Sequence, residues 1–140
     1  MKIFKILLFM VFCALTYSAC QSDENEKFGS KWKLECIVDS TTGKQTVLEP
    51  TNCKECYTLF VDTNYIATAR AIKSTFTLDL LNLDPHAFFE DIPVLEKYNG
   101  INYNINPFRK RVIAASDYSI TSKQLILYHL GGEYLLFKPY

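Results

Sequence analysis

The alternation of polar and apolar residues along the chain predicts a series of short β-strands. From Lys31 to Val38 polar and apolar residues alternate, so every second side chain from Trp32 onward faces the same side. Such alternation is typical of a half-buried strand, and it places Trp32 in the core. Further segments are rich in β-branched and aromatic residues or apolar throughout, and each predicts a strand; they are 57–61, 65–72, 75–81, 112–120, 124–130 and 133–138.

Turn-forming residues between these segments predict antiparallel connections and little helix. The Gly-Gly pair at 131–132 is a strong hairpin signal, because both residues can adopt a positive φ. The Asp-Pro pair at 84–85 predicts a helix start, with helical turns over 86–91 and a second short helix over 94–98. Residues 101–108 are rich in Asn and Tyr and predict an irregular loop. The fold class expected is mainly β, a single antiparallel, strongly curved sheet or small barrel with one or two short helices.

Composition agrees with one folded domain and excludes several classes of protein. The chain has 140 residues, of which 49% are hydrophobic and 14% aromatic, so a disordered chain is excluded. Lys and Arg number 15 and so do Asp and Glu, which leaves no broad basic surface for nucleic acid. We therefore expect a single domain, a monomer, with no nucleic-acid partner.

The N-terminal segment has the pattern of an export signal. Lys2 and Lys5 precede an apolar run from Ile6 to Leu15, which is shorter than the roughly 20 residues that a membrane-spanning helix needs. Small residues follow the run, and Cys20 comes directly after them. Residues 1–19 are therefore expected to be a signal peptide that is removed.

A cysteine directly after small residues resembles the lipobox of bacterial lipoproteins, although Tyr17 stands where that motif usually has an aliphatic residue. The resemblance implies that Cys20 is the lipidation site and anchors the protein to a membrane through N-terminal acyl chains; an ordinary signal peptide with an incidental cysteine is the alternative. Residues 20–27 are polar and acidic and resemble the surface-export signal of Bacteroidetes lipoproteins. They are equally consistent with a plain flexible tether. The β-barrel-like domain is then expected at 28–140.

Three segments resemble small Bacteroidetes envelope lipoproteins with a META-domain or lipocalin-like β-barrel. Residues 29–34 resemble their G-x-W-x-L opening strand, and 53–59 resemble a Cys-x-x-Cys-Tyr-x-Leu element. Residues 125–138 resemble their closing hairpin. The resemblance implies a compact β-barrel-like fold at the cell envelope, with no established enzymatic activity, no catalytic residues and no cofactor. Together with the lipobox it implies anchoring in the outer membrane of a Gram-negative bacterium, with exposure at the cell surface left open.

The cysteines of the domain predict one disulfide. In an exported chain cysteines usually form disulfides, and Cys53 and Cys56 are close enough in sequence to meet at little entropic cost. Cys36 lies on the apolar side of the first strand and is expected to be a buried thiol, although it remains a competitor for pairing. A zinc site needs about four ligands, and only His86 and His129 could join the pair. No metal is expected.

The segment around the only basic run is the candidate binding surface. Tyr98, Tyr103 and Phe108 lie near the run from Arg109 to Arg111 and are interleaved with asparagines. Tyr and Asn together make adaptable contact surfaces, and the basic run could contact an anionic glycan or lipid headgroup. The alternative is that these aromatic residues pin a long loop to the barrel.

The expected function is therefore binding rather than catalysis. The sequence has no nucleophile-elbow, zinc-protease or phosphate-loop motif. We expect a lipid-anchored, non-enzymatic envelope lipoprotein that binds a ligand or partner, such as an envelope protein or a glycan. The alternative is a structural or inhibitor-like envelope protein without a small-molecule site, and an enzyme is the less favoured third reading.

Overall fold

The computed structural model describes residues 29–140, so the signal peptide expected at 1–19, the lipidation site at Cys20 and the tether lie outside the described residues. The described part contains ten strands and one helix. Their bounds are β1 (Lys31–Asp39), β2 (Gln45–Thr46), β3 (Thr58–Val61), β4 (Ile66–Arg70), β5 (Thr75–Asp79), β6 (Leu95–Tyr98), β7 (Ile101–Asn104), α1 (Asn106–Ile113), β8 (Asp117–Ile120), β9 (Leu125–Tyr128) and β10 (Glu133–Pro139). Within 29–140, no helix has the length and apolar character needed to cross a membrane.

Eight strands form one antiparallel sheet, and β1 is its centre. The order is β5-β4-β3-β1-β10-β9-β8. β10 pairs with one side of β1, and both β3 and the short β2 pair with the other side. The sheet curls strongly into a half-barrel, and β6 and β7 form a separate two-stranded sheet. A register shift between Leu34 and Cys36 puts a bulge in β1, which increases local twist and curvature. The predicted fold class is therefore confirmed.

One face of the curled sheet is filled by large apolar side chains. Trp32 is only 2% exposed, which confirms its predicted place in the core. From α1, Phe108 packs its ring 5.1 Å from Tyr57, 6.0 Å from Phe76 and 6.4 Å from Phe137, measured between ring centroids. Burying one such side chain stabilises a fold by about 1.5–3 kcal/mol. The interior of the half-barrel is thus occupied by the protein's own side chains.

The sequence predictions are wrong in the segment that follows β5. Residues 86–91 form no helix. The Asp84 carboxylate accepts the His86 backbone N–H, as an N-cap would, but the turn does not continue into a helix. Residues 94–98, predicted as a helix, contain β6, which pairs with β7. The loop predicted at 101–108 contains β7 and the start of α1, and the strand predicted at 112–120 begins only at Asp117.

Glu96 fastens the β6–β7 hairpin to the main sheet. Its carboxylate accepts hydrogen bonds from the backbone N–H groups of Ile72, Lys73 and Ser74, at 3.1, 3.0 and 3.0 Å. The Ser74 hydroxyl donates a further bond at 3.2 Å. These N–H groups lie in the turn between β4 and β5, where the strands cannot satisfy them.

Candidate functional site

The structure places the tyrosines of the predicted binding surface on the inner side of the β6–β7 hairpin. Tyr98 and Tyr103 share a face with Glu96, because Glu96 is the cross-strand partner of Tyr103 and side chains alternate along β6. Both tyrosines are half-buried and pack against the core. These contacts agree with the alternative interpretation, in which the aromatic residues attach this segment to the barrel.

The prediction that Phe108 is a binding residue is wrong. Its ring is completely buried between α1 and the sheet, so it cannot contact a ligand at the surface. The neighbouring basic side chains attach α1 to the rest of the fold. The Arg109 guanidinium lies 5.2 Å from the centroid of the Phe89 ring, Lys110 Nζ lies 3.6 Å from Asp91, and Arg111 donates to Glu133 at 3.0 Å. Within α1, Arg111 also donates to the Pro107 carbonyl at 2.8 Å. A binding role for Tyr98, Tyr103, Arg109 and Arg111 stays a prediction, and these contacts account for their positions without one.

An open groove of about 600 Å³ lies elsewhere, beside the loop that carries the disulfide. Three segments form it, namely the middle of β1, the end of β10 and the loop before β3. Its lining residues are Lys33, Leu34, Glu35, Thr51, Asn52, Cys53, Lys54, Lys138, Pro139 and Tyr140. A smaller pocket of about 170 Å³ continues it past Thr51 and is walled by apolar side chains such as Pro50 and Leu48. This groove is the candidate functional site.

The disulfide predicted between Cys53 and Cys56 is present and shapes one wall of the groove. The two Cα atoms are 5.4 Å apart, and Cys36 is a buried free thiol. Lys33 Nζ donates hydrogen bonds to the Cys53 carbonyl oxygen at 2.8 Å and to the Cys56 carbonyl oxygen. Burial lowers the pKa of Lys33, and the nearby carboxylate of Glu55 opposes that shift. The disulfide loop therefore fixes one ammonium group at the side of the groove.

Tyr140 also lines the groove, and it contacts the disulfide loop. Lys31 Nζ and Lys54 Nζ lie 5.7 and 5.8 Å from the centroid of its ring, within the range of cation–π attraction. Its hydroxyl donates to the Glu55 carboxylate, and its backbone N–H donates to the Lys31 carbonyl at 3.0 Å. The hydrogen bond to Glu55 raises the pKa of Tyr140. An exposed aromatic ring is thus held in place with ammonium groups around it.

The groove residues could not be recognised as a site from the local sequence pattern. Lys33 and Lys138 stand at the outward positions of the first and last strands, where a charged residue usually means only a solvated face. The signal that could have found them is the pairing of the first and last strands, which places Lys33 directly opposite Lys138. A pattern read along one strand does not reveal its partner strand.

His86 and His129 do not form a metal site with Cys53 and Cys56. His129 lies just after β9, and its Nε2–H donates to the Arg111 carbonyl oxygen. Burial lowers the pKa of His129, so its neutral form is favoured. His86 is exposed in the turn after Asp84. Among residues 29–140 there is no group of three or more His, Cys, Asp or Glu side chains placed to hold a metal ion.

Comparison with known proteins adds no assignment. Neither the protein-family models, nor the curated proteins, nor the solved structures gave a match to the chain. The resemblance to small Bacteroidetes envelope lipoproteins therefore stays a prediction from the sequence.

Proposed function

We propose that the protein is a lipid-anchored lipoprotein of the cell envelope that binds a ligand and catalyses no reaction. The observation that carries the binding role is the groove of about 600 Å³, whose lining includes Lys33, Lys54 and Lys138 together with Tyr140. Sites for small ligands commonly have volumes of about 300–1,000 Å³. Because Trp32 and its neighbours fill the interior of the half-barrel, a ligand would bind in this outer groove.

The envelope location is supported by the N-terminal sequence and by the cysteines. A short basic segment, an apolar run and small residues lead to Cys20, as in bacterial lipoproteins. The Cys53–Cys56 disulfide agrees with an oxidising compartment outside the cytoplasm. Both features fit the outer membrane of a Gram-negative bacterium, in agreement with the family resemblance.

Cell fractionation with metabolic palmitate labelling tests the anchor. We expect the unchanged protein to be labelled and to remain in the membrane fraction, because two acyl chains make a stable anchor. Cys20→Ala should lose the label and become soluble or stay unprocessed, whereas Cys13→Ala should behave like the unchanged protein. Normal processing and membrane retention of Cys20→Ala would contradict the proposal.

Native mass spectrometry of the protein purified from its own envelope tests the binding role. We expect a non-covalent adduct of small mass on the unchanged protein. Asn52→Trp places a large side chain on the groove wall and should abolish the adduct. Asn64→Trp, at an exposed turn position away from the lining, should keep it. No adduct on the unchanged protein, or one that survives in Asn52→Trp, would show that the groove is not the binding site.

A second candidate is a structural envelope protein that docks on another protein and has no small-molecule site. Exposed apolar side chains between β5 and β7 favour it, and Phe88 is 90% exposed. The others are Leu81, Ile92, Leu95 and Ile101. Large exposed apolar areas commonly mark protein interaction surfaces. Membrane anchoring without any adduct in the mass spectrum would favour this candidate.

A further inference from the structure

Two lysines of the groove lining stand on neighbouring strands. Lys33 on β1 and Lys138 on β10 are cross-strand partners, so their side chains leave the same face of the sheet. The Lys33 ammonium group donates to the disulfide loop, and Lys138 Nζ lies 3.9 Å from Glu35. Lys138 and Glu35 are both about half exposed, so this ion pair offsets little of the positive charge.

The walls add to this positive charge. The lining side chains include three ammonium groups, Lys33, Lys54 and Lys138, against the single carboxylate of Glu35. Outside the lining, Glu55 lies 3.9 Å from Lys31 Nζ and accepts the Tyr140 hydroxyl. Glu55 also acts on Lys33 and Lys54, so the groove has three ammonium groups against two side-chain carboxylates, Glu35 and Glu55.

One of these ammonium groups is held in place without losing all of its donors. An ammonium group has three N–H donors, and the carbonyl oxygens of Cys53 and Cys56 take two from Lys33. The same Nζ lies 5.9 Å from the centroid of the Tyr57 ring, and the Lys33 side chain also lines the groove. A lysine restrained in this way loses less conformational entropy on binding an anion than a freely moving surface lysine does.

We propose that the groove binds a phosphate group, with Lys33, Lys54 and Lys138 as its cationic partners and the Tyr140 ring as a wall beside it. This inference rests on the proposed binding function and names the chemical class of the ligand. A phosphate group offers several acceptor oxygens and up to two negative charges, which suits several converging lysines. The groove has room for a phosphate together with the sugar or glycerol that carries it. The source is either a soluble sugar phosphate or a phospholipid headgroup.

Chemical-shift titration of the ¹⁵N-labelled full-length protein in a non-ionic detergent tests this inference. One arm adds glucose 6-phosphate, and a second arm adds micelles that contain phosphatidic acid. Glucose and glucuronate serve as neutral and carboxylate comparisons. The amides of 51–56 and of Tyr140 report on the groove. The variant is the double substitution Lys54→Gln with Lys138→Gln, because Lys33 also holds the disulfide loop, and Lys123→Gln is the matched control in an exposed turn.

We expect saturable shifts at the groove amides in at least one of the phosphate arms. The double variant should raise the Kd about tenfold or more, because it removes two of the three ammonium groups proposed to contact the phosphate. Lys123→Gln should leave the Kd unchanged, and added salt should raise it. Binding of glucose 6-phosphate alone identifies a soluble ligand, and binding of phosphatidic acid alone identifies a headgroup.

Three outcomes would overturn the phosphate assignment. They are no saturable shift in either phosphate arm, an unchanged Kd in the double variant, and equal binding of glucose or glucuronate. Equal binding of glucose at the groove would still leave the proposed binding function standing. Native mass spectrometry of the unchanged protein and of Asn52→Trp tests the binding function separately. Failure of the phosphate assignment can therefore be distinguished from failure of the binding function.

Discussion

Glu96 joins two parts of the fold that are far apart in sequence, and its contacts make stability depend on pH. Burial raises the pKa of Glu96, but the backbone N–H groups of Lys73, Ser74 and Ile72 together outweigh burial and hold it below the ordinary 4.5. The folded state therefore favours the ionised carboxylate. This contribution to stability is complete above the unfolded-state pKa and is lost as the pH falls through the lower folded-state pKa.

The substitution Glu96→Gln tests that role. It keeps the size of the side chain but removes its charge, so we expect the free energy of unfolding at neutral pH to fall by about 1.5–3 kcal/mol. The decline in stability below about pH 4.5 should become shallower than in the unchanged protein. Urea denaturation at a series of pH values measures both effects, with the exposed Glu90→Gln as control. A decline of unchanged steepness in Glu96→Gln would contradict the assignment.

Trp32 provides a second prediction at the scale of single residues. Because its side chain is almost completely buried, Trp32→Ala should lower the free energy of unfolding by about 3–5 kcal/mol. Its indole N–H has no hydrogen-bond partner among the described residues, so Trp32→Phe removes an unsatisfied donor and should cost markedly less. Chemical denaturation measures both variants. A loss below about 1 kcal/mol in Trp32→Ala would place the indole outside the core.

Single residues were predictable where the local pattern carried the information. Alternation along β1 was enough to place Trp32, because burial there follows from the strand period. Phe108 could not be placed in the same way, since it stands beside three basic residues. Its burial depends on rings from three other parts of the chain, which no local pattern shows.

At the scale of elements, the β6–β7 hairpin shows how tertiary pairing overrides local preference. Asn99 and Gly100 have φ values of 50° and 80°, and positive values at both positions are typical of a tight two-residue hairpin turn. An Asn-Gly pair is a common sequence signal for such a turn. Leu95, Glu96 and Lys97 are good helix formers, so propensity favoured a helix before the turn. Pairing with β7 and the bonds of Glu96 favour the strand instead.

The short disulfide loop is expected to add little to the stability of the domain. A bridge between residues three apart removes little entropy from the unfolded chain, so its stabilisation should fall well below the roughly 3 kcal/mol assigned to a 15-residue loop. The double substitution Cys53→Ser with Cys56→Ser should therefore leave the domain folded. Without the bridge the loop loses its covalent restraint, although Lys33 can still donate to its carbonyl groups. Amide exchange at 51–57 should therefore become faster. Unaltered exchange there would show that the bridge does not shape the loop.

The cysteine assignment has its own direct measurement. Alkylation of the unreduced, unfolded protein followed by mass mapping should find the Cys53–Cys56 pair linked. Cys36 should be alkylated, because it is a free thiol that only burial protects. Cys36 bridged to either of the other two residues, or all three alkylated, would refute the assignment.

For the whole molecule, the curled sheet was predictable and the groove was not. Many short strands with tight turns and little helix lead to an antiparallel sheet that must curl to enclose its apolar face. The groove instead depends on one long-range pairing, that of β1 with β10, and on the loop that Lys33 fastens beside it. Sequence patterns indicate strands but not which distant strands become neighbours.

The proposed function places the ligand in the groove beside the disulfide loop and not at the basic run of α1. Hydrogen–deuterium exchange of the full-length protein, with and without a small-molecule extract of its own envelope, distinguishes the two surfaces. We predict slower exchange on addition of the extract at 51–56 and at Tyr140, with no change at 98–111. Slower exchange confined to 98–111, or no change in either region, would contradict the account.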